Sequence, residues 1–160
     1  MPVIDLATIP ARTASIYPPP YDAWMAGRRT LLLGRAGGLT QFGVNITILE
    51  PGARSSLRHW HLNEDEFVMV LEGTLTLVTD SGEHPMHPGD CAAFPAGVAE
   101  GHTMINRSDA EGRFLVVGSR APHEVCTYTD VDLRVEMADG RAHFTRRDGS
   151  PLDTDRGEPA

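Results

Sequence analysis

Residues 59–73 read HWHLNEDEFVMVLEG, and residues 89–106 read GDCAAFPAGVAEGHTMIN. Side chains alternate between the two faces of a strand, so the two histidines of His-Trp-His point to the same side. A glutamate follows five residues later, and a third histidine stands in the second stretch. Three imidazoles and a carboxylate form a ligand set suited to a transition metal. The sequence therefore predicts a metal site formed by His59, His61, Glu66 and His102.

The charge of this ligand set bears on the chemistry that it could support. One carboxylate leaves a divalent ion with a net charge near +1, and four protein ligands leave positions open to water or substrate. Imidazole suits several metals to differing degrees, so we expect one divalent transition metal ion, Zn, Fe, Ni or Mn. Such an ion can polarise a carbonyl, activate a bound water or, if redox-active, bind dioxygen.

Short strands and tight turns account for most of the remaining sequence. The 160 residues fit one domain, and 16 Gly with 12 Pro are more typical of a barrel or sandwich than of a helical bundle. Residues 39–50 alternate apolar and polar positions and predict a half-buried strand. Residues 67–71 and 74–78 flank Glu72-Gly73 and predict a β-hairpin. We expect further strands over 29–34, 114–117 and 127–135, and one short helical segment within 21–28.

These motifs resemble those of the cupin superfamily of small β-barrels. The first cupin motif runs from a Gly through His-x-His and a Glu to a Gly, as do Gly52, His59, His61, Glu66 and Gly73. The second contains a Gly, Pro-x-Gly, a His and an Asn, which here are Gly89, Pro95, Gly97, His102 and Asn106. Four residues separate Gly97 from His102 where the common form has two. Because the extra pair is even and lies in a loop, we expect His102 still to face inward.

The resemblance implies an all-β fold, a double-stranded β-helix or jelly-roll-like barrel, with an extended N-terminal arm. The expected parts are an arm and edge strand over 1–38, a barrel core over 39–120, C-terminal strands that complete the barrel over 121–148, and a frayed tail over 149–160. The arm contains three consecutive prolines and can lie along the barrel wall or a partner subunit. The arm and the strand at Leu31 to Leu33 predict a homodimer.

Several other residues compete for a role at the site. Glu64 and Asp65 are alternatives to Glu66, which the spacing to Gly73 favours. Glu100 is conceivable as a general base, although a surface position is the alternative, and no other residue suggests itself for that role. Two arginines flank the first motif and would either bind an anionic substrate or form ordinary ion pairs. The remaining residues are expected on the surface, in turns or outside the motifs: Arg54, Arg58, His84, His87, His123 and His143. Asn106 is expected at a turn or strand end, where it bonds to the backbone, and support of His102 is the alternative.

Composition excludes some classes of function. A formal net charge of −8 argues against binding to nucleic acid or to anionic membranes. All fourteen basic residues are arginines, so no lysine can form a Schiff base. No apolar run approaches the roughly 18 residues of a membrane span, and we expect a cytoplasmic protein. Cys91 and Cys126 are far apart in sequence and are expected to be unbridged, buried thiols.

Two hypotheses about function follow from the residues and the resemblance. Within the cupins, the sequence around Gly97 and His102 is similar to that of compact bacterial proteins, some of which carry sugar-phosphate isomerase names. The first hypothesis is a metal-dependent enzyme acting on a small polar metabolite, either a sugar or sugar-phosphate isomerase or a dioxygenase. The alternative is a ligand-binding or sensor protein that holds metal and metabolite without turnover.

Overall fold

The protein is built almost entirely of short β-strands, as the sequence predicts. The structure, a computed structural model, describes residues 3–152. Its helical parts are two 3₁₀ turns, Leu6–Thr8 and Tyr21–Met25, and the one-turn helix α1, Leu33–Ala36. The strands are β1 Arg28–Leu31, β2 Phe42–Leu49, β3 His59–His61, β4 Glu66–Glu72, β5 Leu75–Thr79, β6 Gly82–Met86, β7 Cys91–Phe94, β8 Thr103–Ile105, β9 Gly112–Ser119, β10 His123–Tyr128, β11 Arg134–Ala138 and β12 Arg141–Thr145.

Three antiparallel sheets make up the fold. The large sheet has the order β1-β2-β9-β4-β7, the histidine sheet β12-β11-β10-β3, and the small sheet β6-β5-β8. The histidine sheet and the small sheet meet where His59 and His102 form a single antiparallel bridge. Together these two sheets oppose the large sheet, which gives a jelly-roll sandwich whose hydrogen-bond ladders do not close into a continuous barrel.

Two apolar clusters fill the space within this sandwich. The first joins the large sheet to the small sheet, with Val68, Val70 and Phe114 packed against Leu75 and other buried side chains. The second lies at the histidine sheet and is formed by these residues: Met25, Leu57, Cys126, Tyr128, Leu133 and Val135. Burial of apolar area in both clusters supplies the main stabilisation of the fold.

Strands β4 and β5 do not form the hairpin that the sequence predicts. Strand β4 pairs with β7 and β9, whereas β5 pairs with β6 and β8, so the chain crosses from one sheet to the other between them. Gly73 makes the crossing possible. Its φ is +76°, and a Cβ there would lie 2.8 Å from the Glu111 carbonyl oxygen. Turn residues between apolar runs are also found at such crossings, and the sequence pattern does not distinguish the two.

Two other predicted strands are shorter than expected. Within the strand expected over 127–135, residues 129–133 instead form the turn between β10 and β11, closed by a hydrogen bond from the Tyr128 amide to the Leu133 carbonyl. Asp130 and Asp132 supply the polar turn residues. The strand expected over 29–34 ends at Leu31 because the chain then forms the helical turn α1, with a hydrogen bond from the Gly37 amide to the Leu33 carbonyl.

Both ends of the described chain pack against the sandwich. Tyr17 of the arm contacts Tyr128 with ring centroids 5.4 Å apart, and the backbone of Arg12 pairs with Thr30 at the edge of β1. The homodimer stays a prediction. Within the tail expected over 149–160, Pro151 bridges Thr145 and Leu152 packs on the second cluster, where its apolar side chain gains burial. The frayed tail stays a prediction. Residues 153–160 of the expected tail lie outside the described residues.

The two cysteines occupy different environments. Cys126 is buried in the second cluster, as expected, and burial raises the pKa of its thiol. Cys91 is exposed on β7, so the expectation that both thiols are buried is wrong. Both are free thiols. No helix among residues 3–152 is long and apolar enough to cross a membrane.

Asn106 holds together the chain around the end of β8. It is fully buried, and its Nδ2 donates to the carbonyl oxygens of Leu49 (2.8 Å) and Ala110 (2.7 Å), while its Oδ1 accepts from the amide of Ser108 (3.0 Å). The prediction that this residue bonds to the backbone is therefore confirmed. An amide can satisfy donors and acceptors at once, which explains why asparagine stands here.

We predict that Asn106→Ala lowers the free energy of unfolding by about 2–4 kcal/mol, because it leaves several buried backbone groups without partners. Urea denaturation of both proteins checks this. Asn63→Ala is the matched control, since its side chain is exposed and donates one hydrogen bond, to the His123 carbonyl. A loss at Asn106 no larger than that of the control would show that the buried amide is not a structural support.

Candidate metal centre

The four predicted ligands come from two strands, β3 and β4, and from the end of the loop before β8. His59 and His61 are two residues apart on β3, and Glu66 is the first residue of β4. His102 precedes β8 and pairs with His59 through two backbone hydrogen bonds, His59 N–H to His102 O (3.1 Å) and His102 N–H to His59 O (2.9 Å). Residues paired in this way project their side chains to the same face, so His102 points toward His59 and His61.

Gly101 has no room for a side chain beside the third histidine. A Cβ at this position would lie 2.5 Å from the Thr129 Oγ1. Its amide donates to Asp80 Oδ2 at 3.1 Å. Because Gly101 has no side chain, the longer loop can pass close to the end of β10 before His102 pairs with β3. The Phe94 ring stacks on the His102 ring, with centroids 3.6 Å apart and an angle of 6° between planes.

The side-chain atoms of the four residues converge on one point. His59 Nε2 lies 3.2 Å from His61 Nε2, His61 Nε2 lies 3.3 Å from Glu66 Oε2, and His102 Nε2 lies 3.7 Å from Glu66 Oε1. One ligand atom from each residue lies within 4.8 Å of all the others. Ligands of one ion at bond lengths of about 2.0–2.2 Å are separated by roughly 3–4.4 Å. The spacing fits a single transition metal ion.

Unpaired nitrogens give an independent test of this fit. His102 Nε2 is buried and has no hydrogen-bond partner among the described residues. His59 donates from Nδ1 to the Leu57 carbonyl at 2.8 Å, which leaves the Nε2 lone pair directed at the same point. A buried polar atom without a partner is costly, and a bound cation would satisfy the His102 Nε2, whereas the His59 Nε2 already lies 3.2 Å from the His61 Nε2. The donor set therefore suits a metal of the Zn, Fe, Ni or Mn type.

Protonation favours metal binding at His59 and Glu66 and opposes it at His61. Burial, together with the neighbouring imidazoles, lowers the pKa of His59 to about 3, so its ring is neutral near pH 7. Burial acts to raise the pKa of Glu66, but the facing imidazoles of His102 and His61 outweigh it and hold that pKa well below its usual range. Burial likewise opposes the charged form of His61, yet Glu66 raises the pKa of that ring overall.

Glu124 is a functional candidate that the sequence did not reveal. Its buried carboxylate accepts hydrogen bonds from the amides of Leu62 and Asn63, both at 2.8 Å, and its Oε1 lies 3.5 Å from His61 Nδ1. That distance is long for a hydrogen bond, so its main contact is with the backbone that follows His61. The only signal in the sequence is an acidic residue directly before the apolar Val125-Cys126 of β10.

The competing acidic residues lie outside the group of four. Asp65 is exposed and accepts from the Ala96 amide, and Glu64 accepts from the Ala121 amide. Glu64 also belongs to a second possible metal-binding group, with His61 and Glu124. Glu100, considered as a general base, is exposed and contacts the Ser81 hydroxyl at 3.4 Å.

The remaining charged candidates are engaged elsewhere. Arg58 bonds to Asp130 at Nε (3.0 Å) and forms an ion pair with Asp80, and Arg54 lies over the Trp24 ring at 5.7 Å. Neither of these two arginines is therefore placed to bind an anionic substrate next to the imidazoles. The other four histidines are exposed: His84, His87, His123 and His143.

Comparison with known proteins gives consistent matches. Residues 45–118 match the cupin domain family. One similar crystal structure is that of a sugar phosphate isomerase from a cupin superfamily, from Silicibacter pomeroyi. Its sequence is 58% identical to this chain, the match covers 96% of this chain and 98% of that chain, and the TM-score is 0.94. A putative sugar phosphate isomerase from Acidithiobacillus ferrooxidans is 30% identical, covers 78% and 80% of the two chains, and has a TM-score of 0.71.

A curated relative carries a different name. Polyketide synthase CurC from Streptomyces cyaneus is 28% identical over 116 residues, which is 72% of this chain and 73% of that protein.

We predict that His102→Ala lowers bound metal from about one ion per chain to a small fraction. The substitution removes one of the four predicted ligands, so the affinity of the protein for the metal falls at least roughly ten-fold. Elemental analysis after reconstitution and desalting measures this. His84→Ala is the control, since that imidazole is exposed on β6, and it should keep full occupancy. Full occupancy in a folded His102→Ala protein would remove His102 from the ligand set.

Proposed function

The chain belongs to the cupin superfamily, and on that premise we propose that it is a metal-dependent enzyme acting on a small polar metabolite. The favoured reaction is isomerisation of a sugar or sugar phosphate. The observation that carries the proposal is the convergence of three imidazoles and Glu66 at one partly buried point, with the His102 Nε2 unpaired. Groups arranged in this way serve little purpose for packing, since each costs free energy to bury.

Four residues would hold the ion: His59, His61, Glu66 and His102. When bound, a divalent ion would act as a Lewis acid that polarises neighbouring oxygen atoms of the substrate. Glu66 lowers the net charge at the centre, and its oxygens face two of the imidazoles. The stacked ring of Phe94 shields one face of His102 from water. Glu124 holds the two amides that follow His61 and so fixes where β3 ends.

The choice of isomerisation is supported by chemistry and by the relatives. Interconversion of an aldose and a ketose removes a proton from C2 and delivers one to C1, with the oxygens exchanging a proton in turn. The reaction involves no net oxidation and needs no Schiff base, which agrees with a chain that has no lysine. The relative at 58% identity is called a sugar phosphate isomerase, and the second is called a putative one.

Two alternatives use the same residues. A dioxygenase would require iron at the four ligands and would consume dioxygen. A ligand-binding or sensor protein would hold metal and metabolite without turnover. The name of the Streptomyces relative adds polyketides to the possible substrates. These alternatives differ from an isomerase in what they consume and release, so one set of assays separates them.

We predict metal-dependent isomerisation when chelated protein is reloaded with Zn, Mn, Ni or Fe(II) and incubated with a panel of aldose and ketose phosphates. His61→Ala should lower kcat/KM by at least roughly 100-fold through loss of the ion, and His84→Ala should match the unchanged protein. Product is measured by NMR, with oxygen uptake followed in the iron form. Oxygen consumption without isomer would support the dioxygenase, and saturable binding without product for any metal would support the sensor.

A further inference from the structure

A cleft of about 680 Å³ at one end of the sandwich is lined by three arginines, Arg12, Arg35 and Arg120. Arg12 comes from the arm, Arg35 from α1, and Arg120 from the loop between β9 and β10. Asn45 of β2 and Met137 of β11 line the same cleft. It therefore lies between the large sheet and the histidine sheet, where the two sheets open to solvent.

None of these arginines forms an ion pair with a carboxylate of residues 3–152, although the charge of Arg120 acts on the Glu64 carboxylate. The side chains of Arg12 and Arg35 form no hydrogen bond or ion pair with any residue in the range 3–152. Arg120 donates from Nη1 to the Leu39 carbonyl at 3.3 Å and has no carboxylate within ion-pair distance in that range. Elsewhere arginines meet acids, and the pairs include these: Arg29–Glu111, Arg58–Asp130, Arg107–Glu83 and Arg113–Glu72.

Three arginines without ion pairs in one cleft need an explanation, because the chain as a whole is acidic. The formal net charge is −8, so acidic partners are more numerous than arginines. Three cations that line one cleft create a positive potential there, which attracts an anion. Guanidinium groups are rigid forks that match the oxygen pairs of phosphate and carboxylate. Three of them around one cleft favour the more highly charged of these anions, a phosphate.

Strand register connects this cleft with the candidate metal centre. Glu66 pairs with Gly118, and Gly118 pairs with Gly43, so the three residues form one row on the inner face of the large sheet. Neighbouring strands lie about 4.8 Å apart, which puts Gly43 roughly 10 Å from Glu66. The two glycines leave this part of the inner face free of side chains. A Cβ on Gly43 would lie 4.0 Å from the Arg120 Nε, so that guanidinium extends over the row.

We propose that Arg12, Arg35 and Arg120 bind the phosphate group of a phosphorylated substrate whose reacting end lies at His59, His61, Glu66 and His102. The row formed by Gly43 and Gly118 is the floor along which the substrate extends. This assignment rests on the proposed function for the reacting end, but phosphate binding itself does not. It favours a sugar phosphate over a neutral polyketide, because an uncharged ring offers the three guanidinium groups no anion to bind.

Binding of inorganic phosphate to chelated full-length protein tests the site without any turnover. Isothermal titration calorimetry should show saturable binding, and Arg35→Met and Arg120→Met should each weaken it roughly ten-fold or more, since each removes a charged hydrogen-bond donor. Arg113→Met is the matched control: it changes the net charge equally but lies on the outer face beside Glu72 and Glu111. It should leave the affinity nearly unchanged. Thermal unfolding verifies that all variants are folded.

The outcomes distinguish the arginine phosphate site from the proposed isomerase activity. Absence of phosphate binding, or equal affinity in the cleft variants and in Arg113→Met, would overturn the arginine site even if the protein isomerises unphosphorylated sugars. Acetate bound more tightly than phosphate would also overturn it, in favour of a carboxylate ligand. Phosphate binding that depends on Arg35 and Arg120 would support the site even if no isomerase activity is found. With an active enzyme, Arg35→Met should raise KM for the phosphorylated sugar and not for its unphosphorylated form.

Discussion

The reciprocal backbone hydrogen bonds between His59 and His102 are the constraint on which the candidate site depends. They join the histidine sheet to the small sheet, and they also place the third imidazole on the same face as the first two. Without these hydrogen bonds, the loop before His102 would not fix the direction of the His102 side chain. The fold and the ligand geometry therefore share one interaction, and a change that separates β3 from β8 would affect both.

Around this pair, polar groups support the site from behind. Glu124 holds the backbone that leaves β3, and Asn106 holds the backbone that leaves β8. Both side chains are buried and bond mainly to main-chain atoms, so each fixes the position of a strand end. The jelly-roll sandwich thus presents its four candidate ligands on short strands whose ends are fixed, which is what a preorganised metal centre requires.

The sequence predicted the all-β fold and the group of four because both depend on local patterns. The His-x-His spacing places two imidazoles on one face, whereas the direction of His102 is set by its backbone pairing with His59. Partners distant in sequence could not be predicted in this way. The run through Glu72-Gly73 looks like a hairpin, yet Gly73 allows a crossing between sheets. Glu124 and the arginine cleft involve residues that only the tertiary fold brings together, so no spacing in the sequence reveals them.

The most direct measurement is anomalous X-ray diffraction from crystals of the protein reconstituted with zinc, recorded on both sides of the zinc edge. We predict one strong peak per chain, within about 2.0–2.2 Å of the Nε2 atoms of His59, His61 and His102 and of a Glu66 oxygen. No peak at this point, or a peak between His61, Glu64 and Glu124 instead, would contradict the assignment of the metal centre.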